Sequence, residues 1–284
     1  VVGGSGTPTS LAVLALMDKA EMPYLSLGGG VAIVEPVRRW TFKIPQTDRL
    51  AARKVFADMK RRGLTKVALL SENVGFGKSG RTQCVELAPS FGLDIVADET
   101  YAPRDPDVTP QMTRIRATAG VQALFVVGTG QGPAVVTRNI RQLGLDLPVY
   151  QSHGVASRDF LRLVGKAADG MRLPASPLAI VDVLPDSDRQ KPVLAAFKRD
   201  FEARTGDDVS MMAGHAWDAL HLYVEALRRA GTTDKARVRD ELERTKGFVG
   251  QGGIFTLSPT DHMGLGLESL RLVDIEDGAW KLAE

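Results

Sequence analysis

Five clusters of glycine and small hydroxyl residues are the places in this sequence where chemistry can be done. They read GGSGTPTS at 3–10, GGG at 28–30, NVGFGKSG at 73–80, TGQG at 129–132 and HGVAS at 153–157. Each follows a short apolar run and so falls at the carboxyl end of a strand, where open α/β sheets hold their ligands. Glycine lets backbone N–H groups approach a ligand closely, and the N-terminus of a following helix favours an anion. A carboxylate or phosphate is thus the natural guest of Ser5, Thr7 and the N–H groups of Gly28, Gly29 and Gly30. Any one of these loops is equally an ordinary tight turn. The recurrence of five points to binding.

Catalytic patterns fail on inspection. Gly77-Lys78-Ser79 matches the end of a phosphate-binding loop, but Glu72 stands where that motif needs its first glycine. GGSGTPTS lacks the third glycine of the dinucleotide fingerprint. His215 and His221 are six residues apart, off the i, i+4 spacing of a helical metal pair. No GxSxG elbow presents a serine nucleophile. No local motif therefore proposes an enzyme, a metal site or a cofactor. His215, His221 and Trp217 fall near Asp218 in an amphipathic helix and read as structural, while His262, in SPTDHMG, reads as solvated. His153, between Ser152 and Gly154 in a strand-end loop, is the histidine placed to meet a ligand. Cys84 is the single cysteine; it excludes an internal disulfide and reads as a small buried hydrophobe.

The elements that must position these loops alternate along the chain. The 284 residues, 44% hydrophobic and 25% charged, suffice for two compact α/β lobes. The net charge is +2, with no basic stripe of interleaved aromatics, so a nucleic-acid surface is not supported. No apolar run approaches the ~20 residues that span a bilayer. Strands are predicted at 24–27, 66–71, 94–97, 123–127 and 149–151. Thr47 is placed to cap a helix whose Ala52, Val55, Phe56 and Met59 share one face, closing at Gly63. Thr109-Pro110 reads as a cap followed by proline at the first helical position. After residue 173 the pattern changes to three helices, 191–204, 211–230 and 234–246. Two late strands, 253–257 and 270–275, and a turn at Glu276-Asp277-Gly278 follow. A chain that builds one lobe, crosses to another and returns has this order.

The segments VVGGSGTPTS, MPYLSLGGG, EPVRRWTFKIPQTDRLAA and KVALLSENVGFGKSGR, then DPDVTPQMTRIRA, QSHGVASRDFL, GHAWDAL and GIFTLSPTDHMG, carry a resemblance in this order and spacing. The chain resembles the type I periplasmic binding proteins of ABC importers, in the leucine/isoleucine/valine-binding branch, from Val1 nearly to its C-terminus. The resemblance implies an α/β fold of two lobes, each a mostly parallel sheet flanked by helices, with crossovers near Gln46, Pro174 and Pro259. Lobe 1 is then 1–46 plus 175–258, and lobe 2 is 47–174 plus 259–284. It also implies an exported, periplasmic protein without catalysis or cofactor. Such a protein traps a small solute between its lobes and delivers it to the membrane subunits of an ABC permease. Members of the family carry two βα units ahead of the point where these residues start. The first lobe is therefore expected to be incomplete and open to a homodimer that lends edge strands.

By position, Thr7 and the segment Gly28, Gly29, Gly30 match the carboxylate-binding loops of the first lobe, with Gly30 offering its N–H in place of a hydroxyl. Phe76 matches a pocket aromatic of the second lobe, and Gly130 or Gln131 falls where another sits. His153 falls where amino-acid binders place an acid for the substrate ammonium. Imidazole is a poor partner for a buried ammonium. The expected solute is therefore a small carboxylate without an α-amino group, aromatic or branched aliphatic. The alternatives are a branched-chain amino-acid binder whose ammonium partner lies elsewhere, the ligand domain of a sensor, and a nucleotide-using α/β enzyme.

Overall fold

Apolar runs separated by helix-period segments become strands and helices in the computed structural model, which describes residues 1–283. The chain opens with β1 (Val2–Gly3), α1 (Thr7–Lys19), β2 (Tyr24–Ser26) and β3 (Thr41–Lys43). Then come α2 (Asp48–Arg61), β4 (Lys66–Glu72), α3 (Gly75–Leu87), β5 (Asp94–Tyr101), α4 (Thr109–Ala117) and β6 (Ala123–Val127). These are followed by α5 (Gly132–Gln142), β7 (Val149–Gln151), α6 (Arg158–Val164) and β8 (Arg172–Ala175). The last stretch holds α7 (Lys191–Thr205), α8 (Met211–Ala230), α9 (Lys235–Glu243), β9 (Phe248–Val249), β10 (Ile254–Phe255), β11 (Arg271–Glu276) and β12 (Ala279–Leu282).

These elements form two units. Unit 1 is Val1–Thr47 with Ser176–Ser269, and unit 2 is Asp48–Ala175 with the segment from Leu270 onward. The third crossover is thus after Ser269, not near Pro259. Residues 259–269 stay with unit 1 because they run beside β3. The N–H of Lys43 donates to the His262 carbonyl at 2.9 Å, and Leu265 is buried with Phe42 and Phe255. Pro259 marks a tight turn, closed by Ser258 and Asp261 pairing backbone to backbone. His262, expected in solvent, is 1% exposed. Its ring stacks on Phe42 at 4.2 Å, with Nδ1 2.8 Å from the Thr41 carbonyl and Nε2 3.1 Å from Glu243.

In unit 1, β1, β2 and β3 form a parallel sheet, with Gly3 opposite Ser26 and Ser26 opposite Lys43. Leu25, Phe42 and Ile44 bury one face against Ala219, Leu222 and Ala226 of α8. Ser210 caps α8 by accepting the N–H of Ala213, and Gly231 ends it at φ 62°, where glycine is unstrained. Asp218, on the same helix, is fully buried and accepts the N–H groups of Gln251 at 2.6 Å and Gly252 at 2.8 Å. It thereby shapes the turn between β9 and β10. Burial pushes its carboxyl up to about 7, against the two N–H bonds that favour the charged form. A folded pKa raised above the unfolded one means the folded state holds the extra proton between pH ~4 and about 7. Stability from this group is therefore full below pH ~4 and is lost as pH rises through about 7. Melting temperatures of wild type and Asp218→Asn, compared across pH, should shift in the variant's favour from 4 to 7 and stay level above. A constant difference across that window would show the carboxyl to be ionised throughout.

Unit 2 is built on a seven-stranded sheet of order β12-β11-β8-β7-β6-β4-β5. β8, β7, β6, β4 and β5 run parallel, and β11 is antiparallel to both β8 and β12. The β11–β12 hairpin turns on Asp277 (φ 49°) and Gly278 (φ 73°), the pair of positive angles a two-residue turn requires. Ala52, Val55, Phe56 and Met59 of α2 pack on Val67, Leu69, Phe125 and Val127, joined by Cys84, whose thiol burial pushes well up. Thr109 is the first residue of α4 and not its cap; Val108 holds the cap position, and the Thr109 hydroxyl donates back to Asp107 at 2.6 Å.

Candidate functional site

The carboxyl ends of both parallel sheets carry the glycine clusters. In unit 1 a chain of hydroxyls joins the loops after β1 and β2. The Gly28 N–H donates to Ser26 Oγ at 3.1 Å, Ser26 Oγ to Ser10 Oγ at 2.8 Å, and Ser10 Oγ to the Gly4 carbonyl at 2.6 Å. Thr7, first residue of α1, accepts the Gly30 N–H on Oγ1 at 3.0 Å. The N–H groups of Gly28 and Gly30, expected to face an anion, are therefore spent within the protein. Gly29 is different: its N–H makes no hydrogen bond among the described residues. It stands beside the first turn of α1, where Thr7 and Thr9 have no intrahelical acceptor and Pro8 carries no N–H. Ser5 is exposed on the approach to this turn. Gly28 is required by packing, since a Cβ there would lie 2.7 Å from Ser10 Oγ and 2.8 Å from Ile33 Cδ1.

In unit 2 the loops after β4, β6 and β7 converge. Phe76, half-buried at the start of α3, meets the His153 ring edge to face, centroids 5.3 Å apart and planes at 73°. A Cβ on Gly154 would lie 2.7 Å from Thr129 Cγ2, 2.8 Å from the Gly128 carbonyl and 3.3 Å from Phe76 Cε1. The β7 loop thus lies directly on the β6 loop because position 154 has no side chain. Gly130 is exposed at φ 68°, and Gln131 is exposed at the head of α5, its carbonyl accepting the N–H of Ala134 at 3.0 Å. The structure brings Phe76 and His153 into contact and Thr7 and Gly30 into a hydrogen bond. Ser5 in unit 1, and Gly130 and Gln131 in unit 2, are exposed.

Three further groups at these strand ends belong to no motif. Glu72 ends β4 at 5% exposure and accepts the backbone N–H of Thr129. Burial raises its carboxyl above the ordinary value, partly offset by that N–H. Tyr101 ends β5 opposite Glu72, 2% exposed, with a hydroxyl that has no hydrogen-bond partner among the described residues. Burial, and secondarily the charge of Glu72, push its phenol well up. Ser152 binds the Gly128 carbonyl through Oγ at 3.0 Å and so fixes the β6 loop. The signal for Glu72 was present in KVALLSE, an apolar strand closing on an acid. No group of three metal-ligating side chains occurs among the described residues.

Three comparisons bear on this arrangement. A family model described as periplasmic binding protein matches residues 1–279. A leucine-, isoleucine-, valine-, threonine- and alanine-binding protein of Pseudomonas aeruginosa is 22% identical over 176 residues, 62% of this chain and 44% of that protein. The match thus spans less than half the length of this curated relative. An extracellular ligand-binding receptor from Rhodopseudomonas palustris HaA2 superposes with a TM-score of 0.92 at 26% identity, covering 99% of this chain and 81% of that one. A branched-chain amino acid ABC transporter protein from Thermus thermophilus, solved with bound valine, superposes with a TM-score of 0.83 at 18% identity, over 100% of this chain and 76% of that one. At that identity the likeness concerns the fold.

Proposed function

The chain belongs to the periplasmic binding protein family, and within it we propose that this protein is the solute-binding component of an ABC import system whose solute is a small carboxylate. The observation that carries this reading is the Gly29 N–H, which makes no hydrogen bond among the described residues, in a loop held from behind by Ser26, Ser10 and Thr7 next to the start of α1. A fixed N–H and a helix N-terminus together favour a carboxylate. In unit 1 these donors, with the exposed Ser5 nearby, are the residues assigned to the carboxylate. In unit 2, taken by itself, Phe76 and His153 are the residues assigned to ligand contact, together with the exposed Gly130 and Gln131. The protein acts outside the cytoplasmic membrane and hands its solute to permease subunits. Binding without catalysis is in keeping with relatives that are binding proteins by name.

Thermal denaturation with a panel of branched and aromatic acids, each paired with its methyl ester, tests this. A matching acid should raise the wild-type midpoint by several degrees, and its ester should not. Thr7→Val deprives the Gly30 N–H of its acceptor. It should cost about 1 kcal/mol of stability and about tenfold in affinity for the same acid. If no acid shifts the wild-type midpoint, or esters act as well as acids, the carboxylate reading is wrong.

A further inference from the structure

A strand at the edge of a sheet offers unpaired N–H and C=O groups, and proteins blunt such edges with charge or with cover. Three of the four edges of the two parallel-stranded sheets are blunted in this way. β5 carries Asp98 and Glu99, ion-paired to Arg81 and Arg114, and β12 carries Lys281, paired to Glu276. β3 is covered by the segment that runs through His262, whose carbonyl accepts the Lys43 N–H. β1 is neither charged nor covered, and β2 is its one sheet neighbour among the described residues. The Leu25 and Leu27 N–H groups donate to the carbonyls of Val1 and Gly3 at 2.9 and 3.1 Å. Val1 and Gly3 therefore turn to β2, and Val2 between them turns its N–H and carbonyl to the open side.

The helices beside this edge are apolar where a surface helix is ordinarily polar. α1 packs Val13, Leu14 and Met17 on Tyr24, Ile33 and Val34. Its other flank turns Pro8, Leu11 and Ala15 outward, with Leu11 41% exposed and no charge in the helix before Asp18. α8 lies on the opposite face of the sheet, since it packs on Leu25, the strand neighbour of Tyr24. Tyr223 and Leu227 of α8 join Val2 at the border of that core. Ala216, Leu220 and Val224 carry the apolar stripe outward, with Leu220 54% exposed. The open strand thus runs between two exposed apolar flanks, the pattern of an interaction surface.

A partner for this side must present a strand between two helix layers at the same spacing. A second copy of the chain does so by symmetry. A two-fold axis normal to the sheet sets β1 antiparallel to β1 of the other copy, α1 beside α1 and α8 beside α8. The flanks carry no charge, so each meets its own counterpart without like-charge repulsion. We propose that this side of unit 1 is a homodimer seam, along which two copies join their three-stranded sheets into one continuous sheet.

Sedimentation velocity of the purified chain from about 1 to 100 μM reads the association directly. A species of twice the chain mass, in reversible equilibrium with monomer, is the expected result. Leu220→Glu and Leu11→Glu, both at exposed positions, each place a charge in the seam from a different helix layer. Each should weaken the dimer at least about 100-fold with an unchanged circular dichroism spectrum. Leu163→Glu, the same change at a 48% exposed position on α6 of unit 2, should leave the dimer intact. A monomer at the highest concentration, a series of ever larger species, or a dimer indifferent to both seam variants would overturn the proposal. Dissociation by only one of them would do so too, because it places the contact on a single helix and not along the sheet edge. Equal dissociation by Leu163→Glu would move the interface to unit 2.

Discussion

Replacing Gly77 with alanine is expected to destabilise the protein by about 3 kcal/mol, the upper end of what an overpacked methyl costs. The new Cβ would lie 2.1 Å from the Glu72 carbonyl oxygen, 2.5 Å from Glu72 Cβ and 2.7 Å from the Glu72 carbonyl carbon. Two of these atoms are backbone of β4, so no rotamer change relieves the clash. Helix α3 must instead move off the sheet, taking Phe76 with it. Gly80, one turn on, makes a useful contrast. Its Cβ would meet Val127 Cγ1 at 2.5 Å, a side-chain methyl that can rotate away. Gly80→Ala should therefore cost about 1 kcal/mol. Denaturant midpoints should rank wild type, Gly80→Ala, Gly77→Ala in falling order. Equal losses for the two alanines would mean that α3 does not sit as close to β4 as described. The glycine of the apparent phosphate-loop motif thus serves helix–sheet contact.

The second large effect is expected at Asp58, on α2, which is 4% exposed. It accepts the Tyr150 hydroxyl at 2.7 Å, Arg172 Nη1 at 3.0 and 3.2 Å, and Arg61 at 2.7 Å. Arg172 also grips Asp274 through two bonds of 2.7 Å. One carboxylate thereby ties α2 to β7 and β8, and through Arg172 to β11. Asp58→Ala leaves Arg172 and Tyr150 half-satisfied inside the unit and should cost about 3–5 kcal/mol. Burial alone would raise this carboxyl, but the Tyr150, Arg61 and Arg172 bonds, with the charge of Arg172, hold it below its ordinary value. A lowered folded pKa means the stabilisation is present above pH ~4 and is lost as pH falls through the folded value. The melting-temperature gap between wild type and Asp58→Asn should narrow as pH drops below ~4. A gap that holds steady to low pH would show that the charge on Asp58 contributes nothing.

The alternation of strands and helices was legible because buried parallel strands are continuous apolar runs. The segments read at 123–127 and 149–151 are β6 and β7 themselves. Failures fall where local pattern and burial part company. β3 carries no apolar run, since Thr41 and Lys43 are polar; yet both are 0% exposed, the Lys43 ammonium being held by the carbonyls of Pro45 and Gln46. The apolar pattern predicts β5 only over 94–97, but the strand runs on to Tyr101; Asp98, Glu99 and Thr100 are polar because β5 is the edge strand of its sheet. β12 was missed for the same reason, as an edge strand of mixed character.

The site was legible in its loops more than in its atoms. Glycine clusters marked the strand ends. Which N–H groups remain open depends on Ser10, Ser26 and Thr7, whose partners lie up to 23 residues away in sequence. SPTDHMG has the composition of an exposed loop, whereas the His262 ring is buried and stacks on Phe42. In the sequence Glu72 stands out only as the residue that breaks the phosphate-loop motif. That it is a buried acid with no ion pair among the described residues depends on how the loops of unit 2 meet, which no single segment displays.

The most direct test is a calorimetric titration of the purified, solute-free chain with a mixture of branched and aromatic amino acids and their amine-free acids. Saturable binding of one small carboxylate per chain, with a Kd of about 10 μM or tighter and no change in the solute recovered afterwards, is the predicted result. Absence of binding across the mixture, or chemical conversion of the bound solute, would contradict it.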